Sequence, residues 1–108
     1  MLIKSSELTK GEKLLMERRR LGLTQSAMAK KMKVSLYVYR RWETDSVEDA
    51  PSVNIGRLTD YEQCYLMRKR SGNSLQETAN KLQVCRWWLC QMERGEAPID
   101  RLIKFWAA

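Results

Sequence analysis

The sequence predicts an all-α protein built from two tandem copies of one small helical unit. Residues 8–45 overlay residues 58–95 without a gap at a shift of fifty residues. Each copy carries helix-capping patterns, and no segment alternates apolar and polar residues as a half-buried strand does. We therefore assign residues 1–57 to an N-terminal unit and residues 58–108 to a C-terminal unit, and expect the two to pack together.

Ten of the 38 aligned positions are identical, which is more than chance gives. The identities fall where helices start, stop or touch: Thr9/Thr59, Glu12/Glu62, Arg18/Arg68, Gly22/Gly72, Ala29/Ala79, Val34/Val84 and Glu43/Glu93. An Ala-Pro step follows each copy. The repeat therefore indicates a duplicated structural unit.

The first two helices of each copy are marked by their capping residues. Thr9 with Glu12, like its counterpart in the second copy, has the spacing of a capping box. Gly22 then stands where a helix ends in a left-handed residue. Thr24, and Ser74 in the second copy, are suited to begin a short second helix. We expect this helix over residues 25–32 and 75–82.

A brief turn is predicted at Lys33-Val34 and at Gln83-Val84. A third helix follows, from residue 35 to about 43 and from residue 85 to about 93. The proline after each copy suits the first turn of a closing helix. Each unit is thus expected to hold four or five helices.

Composition narrows the function classes. The chain has 108 residues, a net charge of +7, three cysteines and no histidine. Without histidine, paired catalytic carboxylates or a glycine-rich phosphate loop, we expect neither an enzyme nor a metal or cofactor site. An odd cysteine count, and no signal-peptide or membrane-spanning pattern, favour a cytoplasmic protein with free thiols that does not act at a membrane. Residues 1–47 alone carry a net charge of +6, which favours a polyanionic partner.

Two short helices joined by a three- or four-residue turn form a helix-turn-helix motif. Ala29 is small enough for the two helices to touch, and Val34 follows the turn as a core residue. Tyr39 and Trp42 anchor the third helix, as Leu89 and Met92 do in the second copy. The other face of the third helix is then available for a DNA major groove.

These residues resemble the Cro/CI, or xenobiotic-response-element, family of helix-turn-helix regulators. The resemblance rests on Gly22-Leu23-Thr24-Gln25, Ala29, Val34-Ser35 and Trp42-Glu43, and on their counterparts in the second copy, and it covers about four-fifths of the chain. It implies two tandem lambda-repressor-type units. It also implies a sequence-specific transcriptional regulator, a repressor more often than an activator, of phage or mobile-element type and associated with the nucleoid.

The resemblance implies roles for individual residues. Gln25 would bind a phosphate, and Arg40 would pair with a guanine. Lys30, Lys33, Tyr37 and Arg41 would contact phosphates. The DNA-binding residues expected in the whole chain are Gln25, Lys33, Ser35, Leu36, Tyr37, Arg40, Arg41, Arg86, Trp87 and Gln91. The Arg18–Glu43 and Arg68–Glu93 pairs are expected to be buried ion pairs with a structural role.

The second copy is predicted to read DNA less well. Leu75 replaces the glutamine, and Trp87 and Trp88 stand on the third helix. The tryptophans can be core residues packed on the other repeat or on residues 102–106, the surface of a homodimer formed through the C-terminal unit, or contacts to DNA sugars and thymine methyl groups. The alternative to a double-stranded-DNA-binding regulator is a protein-interaction module, such as an antitoxin or a phage-encoded inhibitor of a host protein.

Overall fold

The structure, a computed structural model, describes residues 3–45 and 49–107. Over these ranges it contains seven α-helices, one short 3-10 helix and no strand, so the predicted all-α class is confirmed. The chain divides into two compact units. The N-terminal unit comprises residues 5–56, and the C-terminal unit comprises Ile3, Lys4 and residues 57–107.

The N-terminal unit contains three α-helices after a 3-10 turn at Ser5–Glu7. They are α1 (Lys10–Leu21), α2 (Gln25–Lys31) and α3 (Leu36–Asp45). The predicted capping box is present, since Thr9 Oγ1 accepts from the Glu12 amide and the Glu12 carboxylate accepts from the Thr9 amide. Gly22 ends α1 with φ +70°.

The C-terminal unit contains four α-helices: α4 (Asp60–Ser71), α5 (Leu75–Leu82), α6 (Arg86–Glu93) and α7 (Asp100–Ala107). The predicted capping box at Thr59 is formed, and Ser74, the predicted start of the second helix, forms another with Glu77. Residues 3 and 4 also belong to this unit, because Ile3 is buried and its amide donates to Gln63 Oε1 at 3.2 Å. The repeat begins at residue 8 and therefore carries no information on where Ile3 packs.

The turn between the second and third helices has the same geometry in both units. Lys33 and Gln83 adopt left-handed conformations with φ of 60° and 59°. The next amides, of Val34 and Val84, donate back to the carbonyls of Ala29 and Ala79, each at 3.0 Å. Residues other than glycine are somewhat strained at such φ values. The duplicated hydrogen bonds offset that strain and set the direction in which the third helix leaves.

The prediction of a closing helix after Pro51 is wrong. Residues 49–59 contain no helix. Ala50 and Ile55 are buried in this irregular segment, and Ala50 belongs to the N-terminal core. The Ile55 carbonyl accepts from Arg20, and the Asn54 side chain accepts from the amide of Gly56, which has φ +64°. β-branched residues, Asn and Gly disfavour a helix here. In the second copy the closing helix does form, as α7. Asp100 lies in its first turn, where a negative charge is stabilised by the helix dipole.

Each unit has its own apolar core. In the N-terminal unit the buried cluster is Leu14, Met28, Ala29, Tyr39, Trp42 and Ala50. In the C-terminal unit it is Cys64, Ala79, Leu82, Leu89, Met92 and Leu102. The residues predicted to anchor the third helices, Tyr39 and Trp42 in one unit and Leu89 and Met92 in the other, therefore lie in the cores. Burial, followed by the Glu93 and Asp60 carboxylates, raises the pKa of the Cys64 thiol to about 12, so this cysteine is a neutral core residue.

The longest described helices, α1 and α4, have 12 residues each. None of the helices described is long and apolar enough to cross a membrane.

Candidate nucleic-acid interface

The α3 helix of the N-terminal unit separates buried from exposed residues along its length. Tyr39 is fully buried and Trp42 is 9% exposed, so both face the core. On the rest of the helix surface Tyr37 is 70% exposed, and Arg40 and Arg41 are exposed. The Arg41 guanidinium carbon lies 6.0 Å from the centre of the Tyr37 ring. The structure thus leaves an aromatic ring and two cations on the outer side of α3.

The α2 helix and the following turn add further positive charge. Ala29 is 2% exposed, and its small side chain allows α2 and α3 to approach closely. Lys30, Lys31 and Lys33 are all exposed. These lysines and the two α3 arginines place five cations on the helix-turn-helix of the N-terminal unit, where none is part of the core.

Ser35 and Leu36, also expected at the interface, have local structural roles. Ser35 Oγ accepts from the Val38 amide at 3.2 Å, which caps the start of α3. The third helix therefore starts one residue later than predicted, at Leu36, and at Arg86 in the second copy. Ser35 remains exposed and Leu36 is half-buried.

Both predicted ion pairs are present. Arg18 Nε lies 2.7 Å from Glu43 Oε2, and Arg68 Nε lies 2.8 Å from Glu93 Oε2. In each pair the arginine Nη2 also donates to the glutamate Oε1, at 3.3 Å in the first pair and 3.2 Å in the second, so both pairs are bidentate. Each arginine also donates through Nη1 to a loop carbonyl five residues on, at 3.2 Å. The pair thus joins the first helix, the following loop and the third helix of its unit.

The side-chain exposures show that the two pairs differ in depth. In the N-terminal unit they are 19% for Arg18 and 6% for Glu43. In the C-terminal unit they are 10% for Arg68 and 4% for Glu93. The second pair is therefore the more completely removed from water.

A contact that the repeat does not predict connects the first ion pair to the exposed face of α3. Gln25 Nε2 donates to Glu43 Oε1 at 3.1 Å, and Gln25 Oε1 accepts from Arg40 Nε at 3.3 Å. Gln25 was expected to bind a phosphate, but both ends of its amide contact protein side chains. The contact joins residues from two helices, and only a three-dimensional arrangement could reveal it.

Tyr39 completes the surroundings of Glu43. Burial, and next the Glu43 carboxylate one turn away, raise the pKa of the Tyr39 phenol well above its usual range. The phenol therefore stays protonated, and its hydroxyl lies 3.5 Å from the Leu14 carbonyl that accepts from it. The spacing of four residues between Tyr39 and Glu43 on one helix was the available sequence signal.

The corresponding helix of the C-terminal unit exposes a different surface. Trp87 is 65% exposed, Trp88 is 39% exposed and their ring centres are 6.1 Å apart. Arg86 is exposed and Gln91 is half-buried. The interpretation of the tryptophans as core residues is therefore wrong, because both are exposed and Leu89 and Met92 fill the core of this unit. Tyr37 and Trp87, the second residues of α3 and α6, each point away from the core of their own unit.

Comparison with known proteins gives no match: no protein-family model, no curated protein and no solved structure matches the chain. Among the residues that the structure describes, no group of three or more His, Cys, Asp or Glu side chains is placed to hold a metal ion.

Proposed function

We propose that the chain is a sequence-specific DNA-binding regulator of the Cro/CI type, acting as a repressor, in which the helix-turn-helix of the N-terminal unit enters the major groove. The observation that carries the proposal is the division of α3 between a buried apolar side and an exposed side with Tyr37, Arg40 and Arg41. An α-helix fits the major groove, where arginine can donate two hydrogen bonds to guanine O6 and N7. Arg40 is the residue proposed to do so.

The neighbouring cations suit the sequence-independent part of binding. Lys30, Lys33 and Arg41 are exposed beside α3 and are proposed to contact phosphates, which position the helix in the groove. Tyr37, carrying the Arg41 cation near its ring, offers a hydroxyl and an apolar ring at the same surface. The C-terminal unit has one exposed arginine at the start of α6 and is proposed to contribute less to base recognition.

Selection of bound sequences from random DNA tests the proposal. We expect an enriched motif, either one half-site or two half-sites about 34 Å, one helical turn, apart. With about six phosphates neutralised, the log–log dependence of affinity on salt should have a slope near −5. Arg41→Ala should weaken binding to all sequences and make that slope less steep by about 1, whereas Lys104→Ala, which changes an exposed lysine on α7, should not. Absence of enrichment together with a salt-independent affinity would contradict DNA binding.

The exposed tryptophans favour a second candidate function for the C-terminal unit, that of a protein-binding surface. Aromatic residues and arginine are enriched in interfaces, and Trp87, Trp88 and Arg86 are neighbours on α6. A homodimer through this surface would be compatible with DNA binding by the N-terminal unit. An antitoxin or an inhibitor of another protein would use the surface in place of DNA binding.

Sedimentation velocity of the free protein separates these roles. If the tryptophans form a homodimer, Trp87→Ala should convert the dimer to a monomer without changing the helical content. Tyr37→Ala, which removes an exposed aromatic side chain from the N-terminal unit, serves as the control. A wild-type protein that is monomeric at all concentrations would exclude the homodimer.

A further inference from the structure

We propose that Gln25 is a positioning residue, which ties Arg40 to the part-buried Arg18–Glu43 ion pair and so holds its guanidinium ready for one base, a guanine. The inference rests on the proposed function and assigns the base discrimination of the protein to the N-terminal unit. The geometry that suggests it is a continuous chain of contacts. Glu43 binds Arg18 on one side and Gln25 on the other, and Gln25 binds Arg40.

The chemistry of the three groups fixes the orientation of the amide. An ionised carboxylate only accepts hydrogen bonds and a guanidinium only donates them. The amide between Glu43 and Arg40 must therefore turn its NH2 group to the carboxylate and its oxygen to Arg40 Nε, as the structure has it. A rotation of the amide by 180° would create two repulsive contacts. Gln25 thus transmits the fixed position of a buried carboxylate to an exposed side chain.

Gln25 binds the Arg40 nitrogen, Nε, that is not needed for bidentate recognition of a guanine. Nε is engaged by Gln25, which leaves the two terminal nitrogens of the guanidinium to donate to a guanine. An exposed arginine loses much rotamer freedom when it binds a base. Part of that freedom is already lost in the free protein if Nε is held, so the ordering cost on binding DNA is smaller.

The C-terminal unit is an internal control for the role of Gln25. Leu75 stands at the position of Gln25 and Cys90 at the position of Arg40, so this unit cannot make the connection. Its ion pair is nevertheless formed, with contacts of 2.8 and 3.2 Å against 2.7 and 3.3 Å in the N-terminal unit. The ion pair therefore does not need an amide at this position, and the amide of Gln25 is available for a role at the surface.

Gln25→Leu, which introduces the residue of the second copy, tests the role on DNA. We expect the affinity for the selected operator to fall about 3- to 10-fold and the preference for guanine at the Arg40 position to shrink by the same factor. Affinity for non-specific DNA and the melting temperature should stay unchanged. A phosphate-binding role would instead weaken operator and non-specific DNA equally, and a structural role would lower the melting temperature; either result would overturn the proposal.

A double-mutant cycle shows whether Gln25 acts through Arg40. In an Arg40→Ala background, Gln25→Leu should have no further effect on operator affinity. Additive effects of the two substitutions would overturn the proposal, since Gln25 would then contact DNA or protein by itself.

NMR of the arginine side chains provides a readout that does not depend on DNA. In the free protein the Nε–H group of Arg40 should exchange with water more slowly, and move less, than that of Arg86, an exposed arginine at the start of α6, and Gln25→Leu should abolish the difference. If Arg40 and Arg86 are equally mobile in the wild-type protein, the positioning role is wrong even if the protein binds DNA. If Arg40 is held but no DNA sequence is enriched, the proposed function fails, and with it the assignment of guanine.

Discussion

Replacing Glu93 by alanine is expected to destabilise the protein by about 3–5 kcal/mol. Glu93 is 3% exposed and neutralises Arg68, whose side chain is only 10% exposed. Removing the carboxylate leaves the guanidinium uncompensated in a site with little access to water, and this costs far more than the loss of a surface pair. Equilibrium unfolding in urea, followed by circular dichroism, measures the change in the free energy of unfolding.

Glu96→Ala is the matched control, because Glu96 is an exposed glutamate three residues away and its loss should cost less than about 0.5 kcal/mol. The double variant Arg68→Met/Glu93→Leu removes both charges and should be far more stable than Glu93→Ala. Glu43→Ala is expected to cost somewhat less than Glu93→Ala, since the Arg18 side chain left behind is 19% exposed. Equal stabilities of the Glu93→Ala and Glu96→Ala proteins would contradict a structural role for the ion pair.

The features that the sequence predicted correctly depend on residues close together or duplicated in register. The starts of α1, α4 and α5 follow from a threonine or serine with a glutamate three positions later, and the ends of α1 and α4 follow from a glycine. The ion pairs span 25 residues, yet the same Arg and Glu occur at the same spacing in both copies. Duplication thus supplied the long-range information that a single copy lacks.

The features that the sequence did not predict depend on competition between weak preferences or on contacts between helices. The proline after each copy favours a closing helix equally, but Asn54 and Gly56 favour a turn in one copy whereas Asp100 favours a helix in the other. Gln25 reaches Arg40 only because the turn at Lys33 directs α3 back across the start of α2. Aromatic residues at helical spacing are usually buried, so the sequence left a core role for Trp87 open beside two surface roles, and its 65% exposure excludes the core role.

The two copies also show which part of the unit changed after duplication. The buried alanine, the left-handed turn and the ion pair are retained in both units. The exposed positions of the third helix differ: Arg40 and Arg41 correspond to Cys90 and Gln91. A preserved scaffold with a changed outer surface is what two different binding roles require.

Leu89→Ala and Trp87→Ala test the two sides of α6 against each other. Leu89 is fully buried, and its truncation should cost about 2–5 kcal/mol through lost burial and the cavity left behind. Trp87 has the larger side chain but is 65% exposed, so its removal should change the free energy of unfolding by less than about 0.5 kcal/mol. Urea unfolding of both variants, with amide hydrogen exchange in α4–α7 to localise the effect, gives the comparison.

The same pair of variants also reports on what Trp87 contacts in solution. A loss of stability on Trp87→Ala that grows with protein concentration would indicate a self-associated wild type, because association stabilises the folded state by mass action. A loss that is large at every concentration would mean that Trp87 is packed within the unit, contrary to its exposure. If Trp87→Ala changes stability at no concentration, the ring is available to a partner other than a second copy, and the contribution of α6 to stability comes from its buried side, which carries Leu89, Met92 and Glu93.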